Sequence, residues 1–137
     1  MKRGLSKGEE VSLRVRVSEK DVHYAGGLVN GAWVICLFGD VATEISVRFD
    51  GDEGLLRAYK GIDLLAPIQA GDFIEAAGKI AEVGRTSRII ELEARRYIRP
   101  AKLAEQPSAA DYMLEPEIVA RATMVAVVPL ECQRWED

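Results

Sequence analysis

The sequence predicts an α+β domain in which a curved antiparallel sheet wraps around one long central helix. Two observations lead there. The run from about Leu28 to about Val47, "LVNGAWVICLFGDVATEISV", is nearly all apolar, as in a helix buried on all sides. The segments before and after it read as short strands separated by Gly- and Pro-containing turns. A single apolar helix is buried only if the sheet curls around it, because one sheet face must cover it. The opposite helix face still needs cover, and a second copy of the chain is the economical way to supply it.

In chain order, "VSLRVRV" (residues 11–17) places Val11, Leu13, Val15 and Val17 on one face, the pattern of a half-buried strand. "SEKDVHYAGG" breaks that pattern, and Gly26-Gly27 marks a turn. In the helix that follows, Trp33, Leu37, Asp40 and Glu44 share one face. "FDGDEG" closes it. "GLLRAY" and "GIDLLAPI" read as two short strand pieces around Gly61, with Pro67 at a strand end. "GDFIEAAGKIAEVG" and "TSRIIELEARRYI" are longer runs joined by a short "GR" turn, a hairpin signal. Residues 100–116, polar and rich in Pro and Ala, read as a surface loop with room for a helical turn. "EIVARATMVAVVPL" is a last strand, and 131–137 a tail. The whole, 1–137, is read as a single domain with its core at about 10–130.

The chain has 137 residues, 48% hydrophobic and 29% charged, enough for a core of ordinary size without disulfide or metal. A net charge of -4 argues against a general nucleic-acid binder, whose affinity rests on neutralising phosphates. Cys36 and Cys132 lie far apart and outside any CxxC or Cys/His cluster. Cys36, inside the apolar run, reads as a small core residue. The first ten residues lack an apolar h-region, and no long uninterrupted apolar run would span a membrane. The expectation is a cytoplasmic protein with no membrane partner and no metal site.

Within the apolar helix, Asp40 and Glu44 need an explanation. An unpartnered buried carboxylate costs several kcal/mol, or its pKa rises and it goes neutral. One reading places both in a cavity where chemistry uses them. The other pairs them with Arg48 or with backbone, one of them at the helix surface.

The tokens "HYAGGLVNG", "GDVATE" and "DGDEGL", with "LLAPIQAGDFIEAAGKIAEVGRTSR" after them, resemble the hotdog fold of acyl-CoA thioesterases and dehydratases. From about Lys20 to Ile98 the chain is more closely similar to the 3-aminobutyryl-CoA ammonia lyases of lysine fermentation and the related β-alanyl-CoA ammonia lyases. Gly27 departs from that pattern, where Asn would follow the first Gly of the turn. The resemblance implies reversible elimination of ammonia from a β-amino acyl-CoA, giving an enoyl-CoA such as crotonyl-CoA. It implies no cofactor beyond the CoA of the substrate, and an active site at a homodimer interface. A hexamer, as a trimer of dimers, is common in the superfamily.

Such an elimination needs a base for the α-proton, a place for the ammonium and a donor for the thioester oxygen. Glu44 is the first candidate for the base, with Asp40 beside the ammonium, since coupled carboxylates can divide acid and base roles. His23, the only histidine, becomes a candidate to assist proton transfer or orient a carboxylate. Tyr24 has a substrate-binding role to offer, though a buried turn tyrosine is the ordinary alternative. Asn30 and Gly31 lie where helix N-terminal amides would polarise the thioester carbonyl. Arg85 and Arg88, at the hairpin turn, are candidates for the phosphates of CoA; Arg88, Glu91, Glu93 and Arg95 read equally as a solvated strand face. The competing functions are a hotdog thioesterase, a hydratase-like enzyme and a non-catalytic acyl-CoA-binding protein.

Overall fold

The computed structural model describes residues 3–135. Among them the chain forms β1 (Val11–Arg16), a long helix α1 (Gly31–Asp50), then β2 (Leu55–Leu64), β3 (Phe73–Val83), β4 (Ser87–Pro100) and β5 (Ala110–Val127). The strands make one antiparallel sheet in the order β1-β3-β4-β5-β2. This is the expected architecture of one curved sheet and one long helix.

Helix and sheet meet through one face of each. Val34, Phe38, Val41 and Ile45 of α1 are at most 1% exposed and pack on Ile74, Ile80, Ile90 and Met124. Small residues between them, Ala76, Ala94, Ala120 and Ala122, let the helix approach the strands closely. Gly78 is one such close approach: a Cβ there would meet Leu92 Cδ2 at 2.8 Å, Val41 Cγ1 at 3.0 Å and Ile45 Cδ1 at 3.1 Å. Val11, at the start of β1, and Val17, just past its end, fall on the inner face as the alternation indicates, both 2% exposed.

The helix occupies a span three residues later than expected at each end. Leu28 and Val29 are held extended, Leu28 in bridges to Tyr24 and Gln69 and Val29 by its N–H to the Ile68 carbonyl (2.9 Å). The helix therefore starts after Asn30. It runs on through Phe49 and Asp50 because both are buried, and Gly51 at φ +74° closes it. The helix is buried on one face only, not on all sides: Ala32, Cys36, Asp40, Thr43 and Val47 are exposed. Cys36 is thus on the surface rather than in the core.

Other boundaries moved for tertiary reasons. The two pieces around Gly61 are one strand, β2, whose register shifts at Ala58 and Gly61 absorb extra residues. Residues 110–116, expected in a loop, belong to β5, because Ala110 and Asp111 pair with Pro100 and Arg99. Pro116 sits in the unpaired stretch of that ladder, where a missing N–H costs nothing. Leu5, 4% exposed, extends the core beyond the expected start near residue 10. In the tail, Trp135 donates from Nε1 to the Val47 carbonyl (3.1 Å), and the Arg134 N–H reaches the Asp50 carbonyl (2.9 Å). The Asp50 carbonyl is one that helix geometry leaves free, whereas the Val47 carbonyl also accepts the Gly51 N–H (2.9 Å). Residues 136–137 of the tail lie outside the described residues, as do 1–2.

Candidate active site

A short turn at Ala25–Gly27 brings Tyr24 back against Leu28, with Gly26 and Gly27 both at φ +78°, a conformation side chains disfavour. The turn at residues 67–72 holds the next segment: Val29 donates to Ile68, and Ala70 donates to the Gly27 carbonyl (2.9 Å). Asn30 then caps α1 with an extended backbone, but its side chain makes no capping bond, and no acidic residue lies in the first turn. The first-turn amides are therefore not neutralised by a side chain, and the helix dipole adds to their attraction for negative charge.

These amides border a cavity of about 290 Å³. Its wall is mostly apolar: Leu28, Val34, Leu64, Pro67, Ile68 and Val119, with Tyr24, Asn30 and Gly31 at its edge. Leu64 fills the space a side chain at 31 would need, its Cδ1 standing 2.5 Å from the Cβ position. An apolar pocket with a few convergent donors suits a short acyl chain carrying one polar carbonyl.

Of the residues expected at the site, the protomer brings Tyr24, Asn30 and Gly31 together here. Tyr24 is 56% exposed, not buried in its turn, and meets the exposed His23 ring edge-to-face at 4.7 Å. Asp40 and Glu44 lie elsewhere, on the uncovered side of α1. At 1.5 Å rise per residue they stand about 14 and 20 Å along the axis from Gly31. Asp40 is exposed, and Glu44 is paired with Arg48 at 3.5 Å with its side chain 40% exposed. The pairing with Arg48 is the alternative reading of these carboxylates, and within one protomer it describes Glu44.

Arg85 is exposed at the β3–β4 turn, by the C-terminal end of the helix. Arg88 is not available to a phosphate. It is 1% exposed, and its Nε and Nη2 bond both oxygens of the fully buried Asp50 at 2.9 and 2.8 Å. Its Nη1 donates to the Gly84 and Ser87 carbonyls. The reason is strand parity: Arg88, Ile90, Leu92, Ala94 and Arg96 share the inner face of β4, while Glu91, Glu93 and Arg95 face outward. The inner face thus begins and ends with an arginine. Each meets a buried aspartate, Asp50 at one end and Asp72 at the other. The period-two alternation contains this signal, since it puts both arginines in line with Ile90 and Leu92.

A larger cavity, about 400 Å³, lies over the outward face of the sheet. Four of its charges are engaged with one another: Arg95 with Glu10 and Glu93, and Arg121 with Glu93. No group of three or more His, Cys, Asp or Glu side chains able to hold a metal occurs among the described residues. No described helix is long and apolar enough to cross a membrane.

One helix cradled in a five-stranded antiparallel sheet, with an apolar pocket at the helix N-terminus, defines a hotdog-fold protein, and comparison with solved structures agrees. A hexameric broad-specificity acyl-coenzyme A thioesterase superposes with a TM-score of 0.72 at 22% identity, over 90% of this chain and 82% of that one. β-Alanyl-CoA:ammonia lyase from Clostridium propionicum superposes with a TM-score of 0.90 at 34% identity, over 96% of this chain and 93% of that one. In sequence, the 3-aminobutyryl-CoA ammonia lyase of Acetoanaerobium sticklandii is 48% identical over 122 residues, 89% of this chain and 96% of the relative. No family model matches. The chain belongs to the family of 3-aminobutyryl-CoA ammonia lyases.

Proposed function

We propose that this protein reversibly eliminates ammonia from 3-aminobutyryl-CoA to give crotonyl-CoA, using its own side chains and backbone amides without a cofactor, with CoA as part of the substrate. The observation that supports this reading most directly is the pairing of an apolar pocket with uncapped helix amides at Asn30 and Gly31. It gives a short acyl chain somewhere to sit and its thioester oxygen something to bond. Charge that develops on that oxygen as the α-proton leaves is stabilised by the first-turn amides. A carboxylate, Glu44 in this reading, takes the α-proton. The C–N electrons leave with nitrogen, the double bond forms, and the neutral ammonia regains a proton as the carboxylate is restored. Asp40 holds the ammonium before and after, with His23 assisting proton transfer. Tyr24 borders the bound acyl group and Arg85 meets a CoA phosphate.

In this reading the distances along α1 favour a site shared by two copies of the chain. With the carboxylates about 14–20 Å from the amides on one helix, a single protomer cannot present both to one thioester. The exposed helix stripe from Ala32 to Val47 and the uncovered edge strand β2 supply the surface, with Leu55, Leu56 and Leu64 each at least 55% exposed. A homodimer that covers them brings one copy's Asp40 and Glu44 toward the other's pocket, and burial there would prepare the carboxylates for proton transfer. A hexamer of three such dimers is the assembly we expect, in the cytoplasm.

The test uses purified protein with crotonyl-CoA and ammonium at mildly alkaline pH, following enoyl-thioester absorbance and free thiol together. Ammonia-dependent loss of absorbance without thiol release, abolished by Glu44→Gln, is the expected result. Thiol release would make the protein a thioesterase, the activity of the more distant hotdog relatives. Binding without either change would make it a non-catalytic acyl-CoA-binding protein.

A further inference from the structure

A buried ion pair stands behind one wall of the pocket without lining it. Asp72 is fully buried; its Oδ2 accepts from the Gln69 N–H (2.9 Å) and from Arg96 Nη1 (2.9 Å). The same Arg96 Nη1 donates to the Pro67 carbonyl at 2.8 Å. One guanidinium thus ties the first residue of the 67–72 turn to its last. The turn is fixed from outside as well: the Val17 N–H donates to the Asp72 carbonyl (2.8 Å) and the Gly71 N–H to the Val17 carbonyl (2.9 Å). Arg96 Nη2 is held by Glu117 of β5, outside the turn.

What this turn supports is the strand-like segment that carries the helix amides. Val29 N–H to Ile68 O and Ala70 N–H to Gly27 O, the two bonds that make the Leu28–Gln69 bridge, are its attachments. Pro67 and Ile68 also form part of the pocket wall. A buried ion pair is a poor device for stability, because desolvation consumes most of the attraction. This one is worse than usual, since Asp72 Oδ1 and Arg96 Nε have no hydrogen-bond partner among the described residues. Its geometry, in contrast, is well suited to holding one loop conformation against others.

We propose that Asp72 and Arg96 are positioning residues for the ammonia-lyase reaction: they lock the 67–72 turn onto residues 27–29 and so fix where the Asn30–Gly31 amides meet the thioester oxygen. The inference rests on the reading of the pocket given above. Displacing those amides by a fraction of an ångström weakens their contact with the transition-state oxygen, while the acyl chain and CoA keep their apolar and ionic contacts.

The experiment compares the wild-type protein with Arg96→Lys, which keeps the charge but ends short of the Nη1 position that serves both Asp72 and Pro67 and has no second nitrogen for Glu117, and with Asp72→Asn, which keeps the shape without the charge. Glu117→Gln serves as the control that removes the counter-charge on Arg96 Nη2 and leaves the Nη1 bonds to Asp72 and Pro67 in place. Each is assayed for kcat and KM with crotonyl-CoA and ammonium, for thermal stability, and for amide hydrogen exchange. In Arg96→Lys and Asp72→Asn, kcat falls on the order of tenfold to a hundredfold with KM for crotonyl-CoA changed by less than about threefold. Exchange accelerates at Val29, Gln69 and Ala70 while β4 stays protected. Glu117→Gln retains kcat. Activity that merely tracks thermal stability across the three variants, or unaltered exchange in residues 27–30 and 67–72, overturns the proposal. Absence of ammonia-dependent turnover in the wild-type protein instead overturns the lyase reading, and the exchange measurement then decides the clamp by itself.

Discussion

Arg88 distinguishes a structural role from a ligand-binding one more sharply than any other residue in this chain. Replacing it with Met keeps most of the side-chain volume but removes two charge-assisted bonds to Asp50, at 2.9 and 2.8 Å, leaving a carboxylate with no exposed surface. Breaking a buried pair from one side costs about 3–5 kcal/mol. Arg3 Nη1, 3.3 Å from Asp50 Oδ1, still compensates part of that charge, which places the expected loss near the lower end, about 3 kcal/mol. Unfolding entropy scales with length at about 2.1 cal/mol/K per residue, so for a chain of this size the loss corresponds to a Tm drop of about 10 °C. Thermal unfolding and urea titration measure it, and calorimetric titration with CoA measures affinity in the remaining folded protein. Affinity is expected to stay within about twofold. Adding Asp50→Leu to Arg88→Met should recover much of the lost stability, since two apolar groups can replace a buried pair at little net cost. A Tm within about 2 °C of wild type, combined with a large loss of CoA affinity, would refute the reasoning and return Arg88 to the phosphate site.

Other expectations follow from the same structure. Gly78→Ala puts a methyl within 2.8–3.1 Å of Leu92, Val41 and Ile45 and should destabilise by about 1–3 kcal/mol in urea unfolding, because helix and strand must separate. Gly31→Ala meets only the mobile end of Leu64, so the fold should tolerate it. The displaced leucine narrows the pocket, and steady-state kinetics should show a raised KM for crotonyl-CoA. Burial works to raise the Glu93 carboxyl, but hydrogen bonds and charge from Arg95 and Arg121 outweigh it and hold the group below the ordinary glutamate value. A depressed folded pKa means that this stabilisation is fully present above the unfolded value, roughly pH 4.3, and is lost as pH falls through the lower folded one. Unfolding of wild type and Glu93→Gln should therefore differ by a constant amount at neutral pH and converge in acid. Trp135→Ala removes the bond to the Val47 carbonyl and the ring that covers Gly51, and should lower stability by about 1 kcal/mol in the same assay.

The existence of α1, the hairpin of β3 and β4, and the glycine turn before the helix were legible in the sequence because each depends on local periodicity or on local backbone conformation. The tokens around "HYAGGLVNG" and "GDVATE" carried the family, since similar chains solve the same problem with the same residues. Which side of the helix is buried was not legible. An apolar run with two carboxylates has no internal mark for where one sheet stops covering it, and the structure leaves Cys36, Asp40 and Val47 outside while Phe38, Val41 and Ile45 go in. The fate of Arg88 and Arg96 was also decided in three dimensions. Alternation puts both on the inner face, but only the end of α1 and the 67–72 turn bring Asp50 and Asp72 close enough to neutralise them there. The sequence by itself determined the elements, the chemistry at hand and the family, through interactions between neighbours along the chain. The tertiary structure decided which charges are buried and paired and which amides border the pocket, because those depend on contacts between residues 24 to 43 positions apart.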